Sequence, residues 1–302
     1  MIDVRLVGAE AAPGVLGVIH AAFGARAPLD PPTSALSETL ESVASELGQY
    51  GGLLVELDGR QVGSLIFEPV GSTLGLRRFG VLPEAQGTGV ATALIAVAQE
   101  QARARGCAGM RVVARVELPA TIAFWEHQGF VEVAREGVNV HLAKLFATSI
   151  DAHTRADTQA VAETLAPRLR AGDLIILSGD LGAGKTTFTQ GLGRALGVRG
   201  DITSPTFVIA RVHPSLTDGP ALVHVDAYRL GGLAELDDLD LDTSLDDAVT
   251  VVEWGSGVAE SLASDRLEIT LTRALGDVSG VSVTEDHDPR RIVIQPVGLR
   301  WA

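Results

Sequence analysis

Leu174-Ile175-Ile176-Leu177-Ser178-Gly179-Asp180-Leu181-Gly182-Ala183-Gly184-Lys185-Thr186-Thr187 is the stretch on which the reading of this 302-residue chain turns. Its first five residues are an apolar run of strand length, and the segment from Lys185 has the pattern of a helix. Between them lies G-x-x-x-x-G-K-[ST] in full, in the strand-to-helix setting that gives the motif its meaning. The glycines allow backbone conformations closed to other residues and bring N–H groups against phosphate oxygens. The helix start adds its positive end. Asp180, Gly182, Ala183, Gly184, Lys185, Thr186 and Thr187 are therefore expected to contact a nucleotide. Lys185 is expected to reach the β- and γ-phosphates, and the Thr186 hydroxyl to join the Mg²⁺ shell.

The composition sharpens this. The 24 basic residues include only two lysines, Lys144 and Lys185. The single lysine of the second half thus stands where phosphate chemistry wants an ammonium. Such a site also needs an acidic group for Mg²⁺ and water. Glu253 closes the apolar run Val249-Thr250-Val251-Val252, and Asp226 ends the run that holds His224. Both carboxylates are candidates.

Working outward, the second half reads as helix over 156–169, strand 174–178, helix 185–196, and strands over 206–212, 221–225, 249–254, 267–272 and 292–295. A short helix follows residue 254. Strands alternating with helices imply a sheet with helical cover, an α/β arrangement. Gly179 to Thr187, Ser204-Pro205-Thr206-Phe207, His224-Val225-Asp226-Ala227-Tyr228-Arg229 and Glu253-Trp254 follow in an order and spacing that resemble the TsaE family. The acidic stretch over 235–247 resembles that family's run before its Glu-Trp strand. The resemblance covers nearly all of residues 148–302 and implies a P-loop NTPase domain. Its implied work is ATP hydrolysis inside a complex that modifies tRNA adenosine to threonylcarbamoyladenosine. It makes Lys185 and Asp226 catalytic, Asp226 as a water-positioning carboxylate, and Glu253 a catalytic Mg²⁺ ligand with Thr186. It sets Thr158 near the nucleotide base, and it implies TsaB/TsaD-type partner subunits, with tRNA met only through them. Where that family has a late Gly-Arg pair, this chain has Gly276-Asp277.

The first half has a different grammar. An alternating apolar strand over 2–7 precedes helical pattern to about Gly24. A Pro-rich loop over 27–32 leads to a second helix over 35–48. Asp58-Gly59 joins strands over 53–57 and 62–67 into a hairpin. A strand over 74–81 runs into Gln86-Gly87-Thr88-Gly89 and a helix over 90–105. Strand 110–116, helix 120–128 and strands 130–136 and 138–145 complete it.

Arg78 to Ala91 resembles the acyl-CoA loop of the GNAT acetyltransferases, with Gln86, Gly89 and Ala91 in the core positions. Ala123-Phe124-Trp125-Glu126-His127-Gln128-Gly129-Phe130 resembles a later stretch of the same family. A strand end, a glycine turn and a helix start make an anion site suited to the pyrophosphate of coenzyme A. Val81, Gln86, Gly87, Thr88, Gly89, Val90 and Ala91 are the expected contacts for acetyl-CoA. Trp125 stands where the family often uses a tyrosine as general acid, and an indole N–H does not fill that role. Glu68, Glu84 and Glu117 are possible bases. The fold expectation is two domains, a GNAT-type α+β domain over 1–147 and a P-loop NTPase domain over 148–302.

Bulk properties set the limits. Residues 1–147 hold 11 Lys and Arg against 15 Asp and Glu, and residues 148–302 hold 13 against 23. The second half is thus a poor direct holder of nucleic acid, since that affinity comes largely from cations on phosphates. Scattered histidines and a lone Cys107, expected as a small buried thiol, argue against structural zinc and disulfides. No apolar run reaches the ~20 residues a membrane span requires. The apolar segment over 11–25 has Asp3 and Glu10 ahead of it, the wrong charge for a secretory signal, and reads as a buried helix. A cytoplasmic protein is expected. The competing reading is a P-loop small-molecule kinase joined to a non-catalytic CoA-binding module; the acidic run after Arg229 is a poor lid for such a kinase.

Overall fold

The computed structural model describes residues 1–205, 208–228, 246–273 and 288–301. Its contacts divide the chain into two compact units, Met1–Leu145 and Phe146–Trp301. The expectations at Thr206, Phe207, Arg229 and Gly276-Asp277 lie outside the described residues, as does the acidic stretch except for Asp246 and Asp247.

In the first unit the elements run β1 (Ile2–Val7), α1 (Ala12–Gly24), α2 (Leu40–Tyr50), β2 (Gly52–Leu57), β3 (Arg60–Val70) and β4 (Thr73–Val81). Then follow α3 (Val90–Ala104), β5 (Gly109–Arg115), α4 (Pro119–His127), β6 (Val131–Glu136) and β7 (Asn139–Leu145). They form a seven-stranded sheet in the order β1-β2-β3-β4-β5-β7-β6. Only β4 and β5 are parallel, and α3 supplies the crossover that a parallel pair requires. The apolar segment near the N-terminus is indeed a buried helix: Val15, Val18 and Ile19 of α1 pack with Val43 and Leu47 of α2 over Leu54 and Ile66. The second helix differs from the expectation. Residues Ser34–Ser37 form a single 3₁₀ turn, and α2 proper starts after Thr39, which caps it reciprocally with Ser42. Cys107 is half-buried rather than buried.

The pairing of β4 with β5 stops early. Thr73, Leu74 and Gly75 oppose Gly109, Met110 and Arg111, and beyond that the strands part. On its other edge β4 slips register against β3 between Ser64 and Ile66, near Arg78, whose φ is +53°. A bulge of this kind bends a strand away from its neighbour.

The second unit runs β8 (Thr148–Ala152), α5 (Arg155–Leu165), β9 (Leu174–Ser178), α6 (Lys185–Leu196), β10 (Ala210–His213) and β11 (Ala221–Asp226). β12 (Ala248–Glu253), β13 (Arg266–Arg273) and β14 (Arg290–Val297) complete it. The sheet order is β10-β11-β12-β9-β13-β14-β8. The four central strands β11, β12, β9 and β13 are parallel. β9, β11 and β12 are buried along nearly their whole length, as strands covered on both faces are, whereas β13 alternates buried with more exposed residues. β8 was not expected: Thr148-Ser149-Ile150-Asp151-Ala152 is a mostly exposed edge strand, so only Ile150 and Ala152 carry any apolar signal. Of the strand expected over 206–212, the described residues are extended only from Ala210, in β10 (Ala210–His213), because Ile209 has φ +67° and breaks extension. The short helix after residue 254 is one 3₁₀ turn, Glu260–Leu262. Helices α5 and α6 pack so closely that a Cβ on Gly191 would collide with the Gln159 carbonyl.

Candidate functional sites

The glycine loop connects β9 to α6, and its conformation needs its glycines. Gly179 has φ +138°, and a Cβ there would collide with the Leu271 carbonyl of β13. Gly184 has φ +103° and caps the N-terminus of α6. Lys185 is buried; its Nζ donates to the carbonyls of Gly179 at 2.7 Å and Asp180 at 3.1 Å. The same ammonium lies 3.7 Å from the centre of the Trp254 ring. Burial pulls its pKa below the ordinary lysine range, against the attraction of Glu253, Asp226 and Asp180.

The parallel register sets Asp226 opposite Glu253 and Glu253 opposite Leu177, so both carboxylates sit at the C-terminal ends of central strands beside the loop. One oxygen of the buried Glu253, Oε1, accepts from Thr186 Oγ1 at 2.9 Å and from His224 Nε2 at 2.8 Å. His224 is completely buried, and its Nδ1 has no hydrogen-bond partner among the described residues. Asp226 accepts from Ser204 Oγ at 3.1 Å and from the Tyr228 amide at 3.0 Å. Tyr228 stacks at an angle on Trp254, with ring centres 5.1 Å apart. The expected residues Lys185, Thr186, Asp226 and Glu253 therefore meet at one place. Thr187 is half-buried in the first turn of α6. Thr158 is buried on α5, its hydroxyl donated to the Thr154 carbonyl at 3.2 Å.

Arg290, which sequence reasoning missed, also reaches this loop. Its Nη2 donates to the Gly182 carbonyl at 3.3 Å, and its Nε lies 3.3 Å from the position a Cβ would take on Gly184. Asp288 holds it by an ion pair and also accepts from Arg273 Nε at 2.9 Å. Those hydrogen bonds, that of Arg290 foremost, lower the Asp288 pKa to about 2. No local pattern marks an arginine that begins a strand more than a hundred residues downstream of the loop.

The donor set fits a magnesium nucleotide. A hydroxyl and a carboxylate already converge on one point, both are hard oxygen ligands, and an ammonium stands beside them.

In the first unit, the parting of β4 and β5 opens a cavity of about 1210 Å³. Val81, Gln86, Gly87, Gly89 and Ala91 line it. The expected residues Thr88 and Val90 do not: the Thr88 hydroxyl closes the turn onto the Ala85 carbonyl at 2.6 Å, and Val90 is fully buried. Gly87 and Gly89 have φ of +75° and +92°, and Gly89 caps α3. Trp125 is nearly fully buried, edge-on to Phe79, Phe124 and Phe130 at 4.9–5.2 Å, so it is a packed aromatic in the cavity wall. Of the three carboxylates offered as bases, only Glu68 lines the cavity. Glu84 pairs with Arg60, and Glu117 with Arg115, which depresses its pKa. A cavity through the sheet with an anion-binding turn at one mouth fits a long phosphorylated thioester.

Comparison with known proteins agrees with both halves. The family described as "Threonylcarbamoyl adenosine biosynthesis protein TsaE" matches residues 152–278, and the "Acetyltransferase (GNAT) family" matches residues 25–130. The tRNA threonylcarbamoyladenosine biosynthesis protein TsaE of Streptomyces coelicolor is 62% identical over 139 residues, which is 46% of this chain and 89% of that protein. The Bacillus subtilis protein of the same name is 39% identical over 147 residues, 48% of this chain and 83% of that protein. Among solved structures, the PaiA N-acetyltransferase of Thermoplasma acidophilum in complex with coenzyme A is 14% identical, with a TM-score of 0.44. That match covers 48% of this chain and 99% of that one. No helix among the described residues is long and apolar enough to cross a membrane. The chain is an enzyme that belongs to the TsaE family through its second half and carries a GNAT acetyltransferase domain in its first.

Proposed function

We propose that the second half binds ATP with Mg²⁺ and hydrolyses it as a cytoplasmic component of the machinery that makes threonylcarbamoyladenosine in tRNA. One observation carries this: Thr186 and Glu253 are joined at 2.9 Å beside the Lys185 ammonium. In this reading Lys185 releases the Gly179 and Asp180 carbonyls to hold the phosphates, and Thr186 and Glu253 hold the metal. Mg²⁺ supplies neutralisation of phosphate charge. Asp226, fixed by Ser204 and the Tyr228 amide, orients the attacking water. His224 fixes the Glu253 carboxylate, and Arg290 supplies a cation at the loop. The acidic charge of residues 148–302 favours protein partners of the TsaB/TsaD type over direct contact with tRNA. The test is steady-state ATP hydrolysis by the chain alone and with those partners. Slow turnover that the partners accelerate supports the reading; full-speed turnover alone, or tight salt-sensitive tRNA binding without partners, defeats it.

For the first half we propose acetyl-CoA binding, with the pyrophosphate on the Gln86 to Gly89 turn and the thioester in the gap between β4 and β5, and acetyl transfer to an amine. Calorimetry with acetyl-CoA, followed by thiol release with added amines, tests it.

A further inference from the structure

The cavity of the first unit has two ends, and the register of the strands assigns residues to each. Side chains alternate across a sheet. Arg77 opposes Ile66 and bonds Glu46 of α2 at 2.7 Å, so it lies on the face that α1 and α2 cover. Gly63, three residues before Ile66, faces Val90 and Leu94 of α3 on the other side. Gly75 opposes Arg111, and Val113 opposes His141, which puts Arg111 and His141 on the α1–α2 face. The glycine turn, which caps α3, opens on the other side.

The α1–α2 end of the cavity is cationic. Its lining includes Arg26, Arg77, Arg78, Arg111 and Arg115 against one carboxylate, Glu68. Three of these arginines are committed: Arg77 to Glu38, Glu46 and, at 3.8 Å, Glu68; Arg78 to Glu38; and Arg115 to Glu117. Two are not. Arg26 lies half-buried over the Phe23 ring at 4.0 Å, and burial lowers its pKa. Arg111 makes no ion pair among the described residues, and its Nε is buried with no hydrogen-bond partner. A guanidinium does not escape this by losing a proton. A buried donor on an unpaired cation is costly to leave unsatisfied, so the face is built to receive an anion. The pyrophosphate of the coenzyme has its own place in this reading, on the turn that caps α3.

We propose that the acetyl acceptor of the first half is a small primary amine that also carries a carboxylate, held by Arg111, with Arg26 lining the same cavity. This rests on the acetyl-CoA reading given above. The amine nitrogen attacks the thioester carbonyl; the C–N bond forms and the C–S bond breaks. Glu68, on the same face, takes the proton lost from nitrogen, and the leaving thiolate takes one from water. A basic peptide or polyamine is repelled by the same arginines.

The experiment uses the full chain. Acetyl-CoA is titrated first; absence of binding overturns both the acetyl-CoA reading and this inference. The chain saturated with CoA is then titrated with L-alanine, L-leucine, their α-amides, spermidine and phosphoethanolamine, and thiol release from acetyl-CoA is followed with each. A charge-assisted pair predicts that the amino acids bind about 10- to 100-fold tighter than the amides, with the same order in kcat/KM. Arg111→Met should erase that preference while leaving acetyl-CoA affinity within about twofold, which also shows that the variant folds; Arg111→Lys should restore part of it. Equal binding of acid and amide, no binding of either, a preference for spermidine or phosphoethanolamine, or an unaltered preference in Arg111→Met would each overturn the proposal.

Discussion

The two halves build their candidate anion sites in opposite ways. In the second, the polar side chains are buried and already joined: Glu253 accepts from both Thr186 and His224, and Lys185 is tied to its own loop. In the first, an open cavity runs through a parted sheet, and two of its arginines have no carboxylate partner among the described residues. A site finished before its ligand arrives is fixed by one motif and a few strand ends. A site left open takes its specificity from residues gathered off several elements, and those leave little trace in any one stretch of sequence.

The strongest test of the finished site is Lys185→Ala. Backbone dipoles do not replace an ammonium on phosphate, so ATP affinity should fall about 100-fold or more. A variant that binds ATP within threefold of wild type, by calorimetry, breaks the contrast at its root. Glu253→Gln keeps the shape and removes the charge. It should retain nucleotide while Mg²⁺-dependent turnover drops about 10²-fold, of the order seen when one transition-state charge partner is lost. Normal hydrolysis by that variant would move the metal to Asp226.

Two variants probe the open site. Gly89→Glu adds a carboxylate to a turn with φ +92°, and acetyl-CoA affinity should fall at least about tenfold from repulsion and strain together. Retained affinity would remove the turn from the site. Trp125→Tyr offers a phenol where the aromatic cluster now has an indole. Acetyl transfer should rise by up to about 10²-fold with no tightening of acetyl-CoA, the low end of what general acid catalysis contributes. An unchanged rate from a fast wild type means that another group already delivers the proton.

The smallest effect is on pH. Burial holds the His213 imidazole below its ordinary 6.5, with Nδ1 on the Arg199 carbonyl and Nε2 without a partner among the described residues. The native state then stays neutral where the unfolded chain takes a proton. Stability is full above about pH 6.5 and declines as pH falls below it, so Tm should drop by a few degrees between pH 7.5 and 5.5. His213→Gln should flatten that slope; an equal slope in the variant would assign it elsewhere.

How much was legible follows the same division. Strand β9, the loop and α6 lie where the sequence places them, because an apolar run, glycines at fixed offsets and a lysine each dictate local backbone. The hairpin at Asp58-Gly59 and helix α3 were equally plain. Strand β8 was not, since an exposed edge strand carries few apolar residues, and its pairing with β14 spans the whole domain. Arg290 was invisible for a related reason: it becomes a neighbour of Gly182 only once β13 and β14 are laid beside β9. The Gln86 to Gly89 turn could be read in sequence, whereas the cationic face opposite it required the register of β4, β5 and β7.

The indole of Trp254 lies against the Lys185 ammonium at 3.7 Å. Emission from an indole responds to charge at its face, so this ring is a built-in optical gauge of where that lysine is. Any event that draws the ammonium toward a phosphate changes the field on the ring, and the phosphate-binding step can be timed by stopped-flow fluorescence without a label. Trp125 and Trp301 are buried elsewhere and supply a steady background. Replacing either of those two with phenylalanine sharpens the signal and leaves the reporting ring in place.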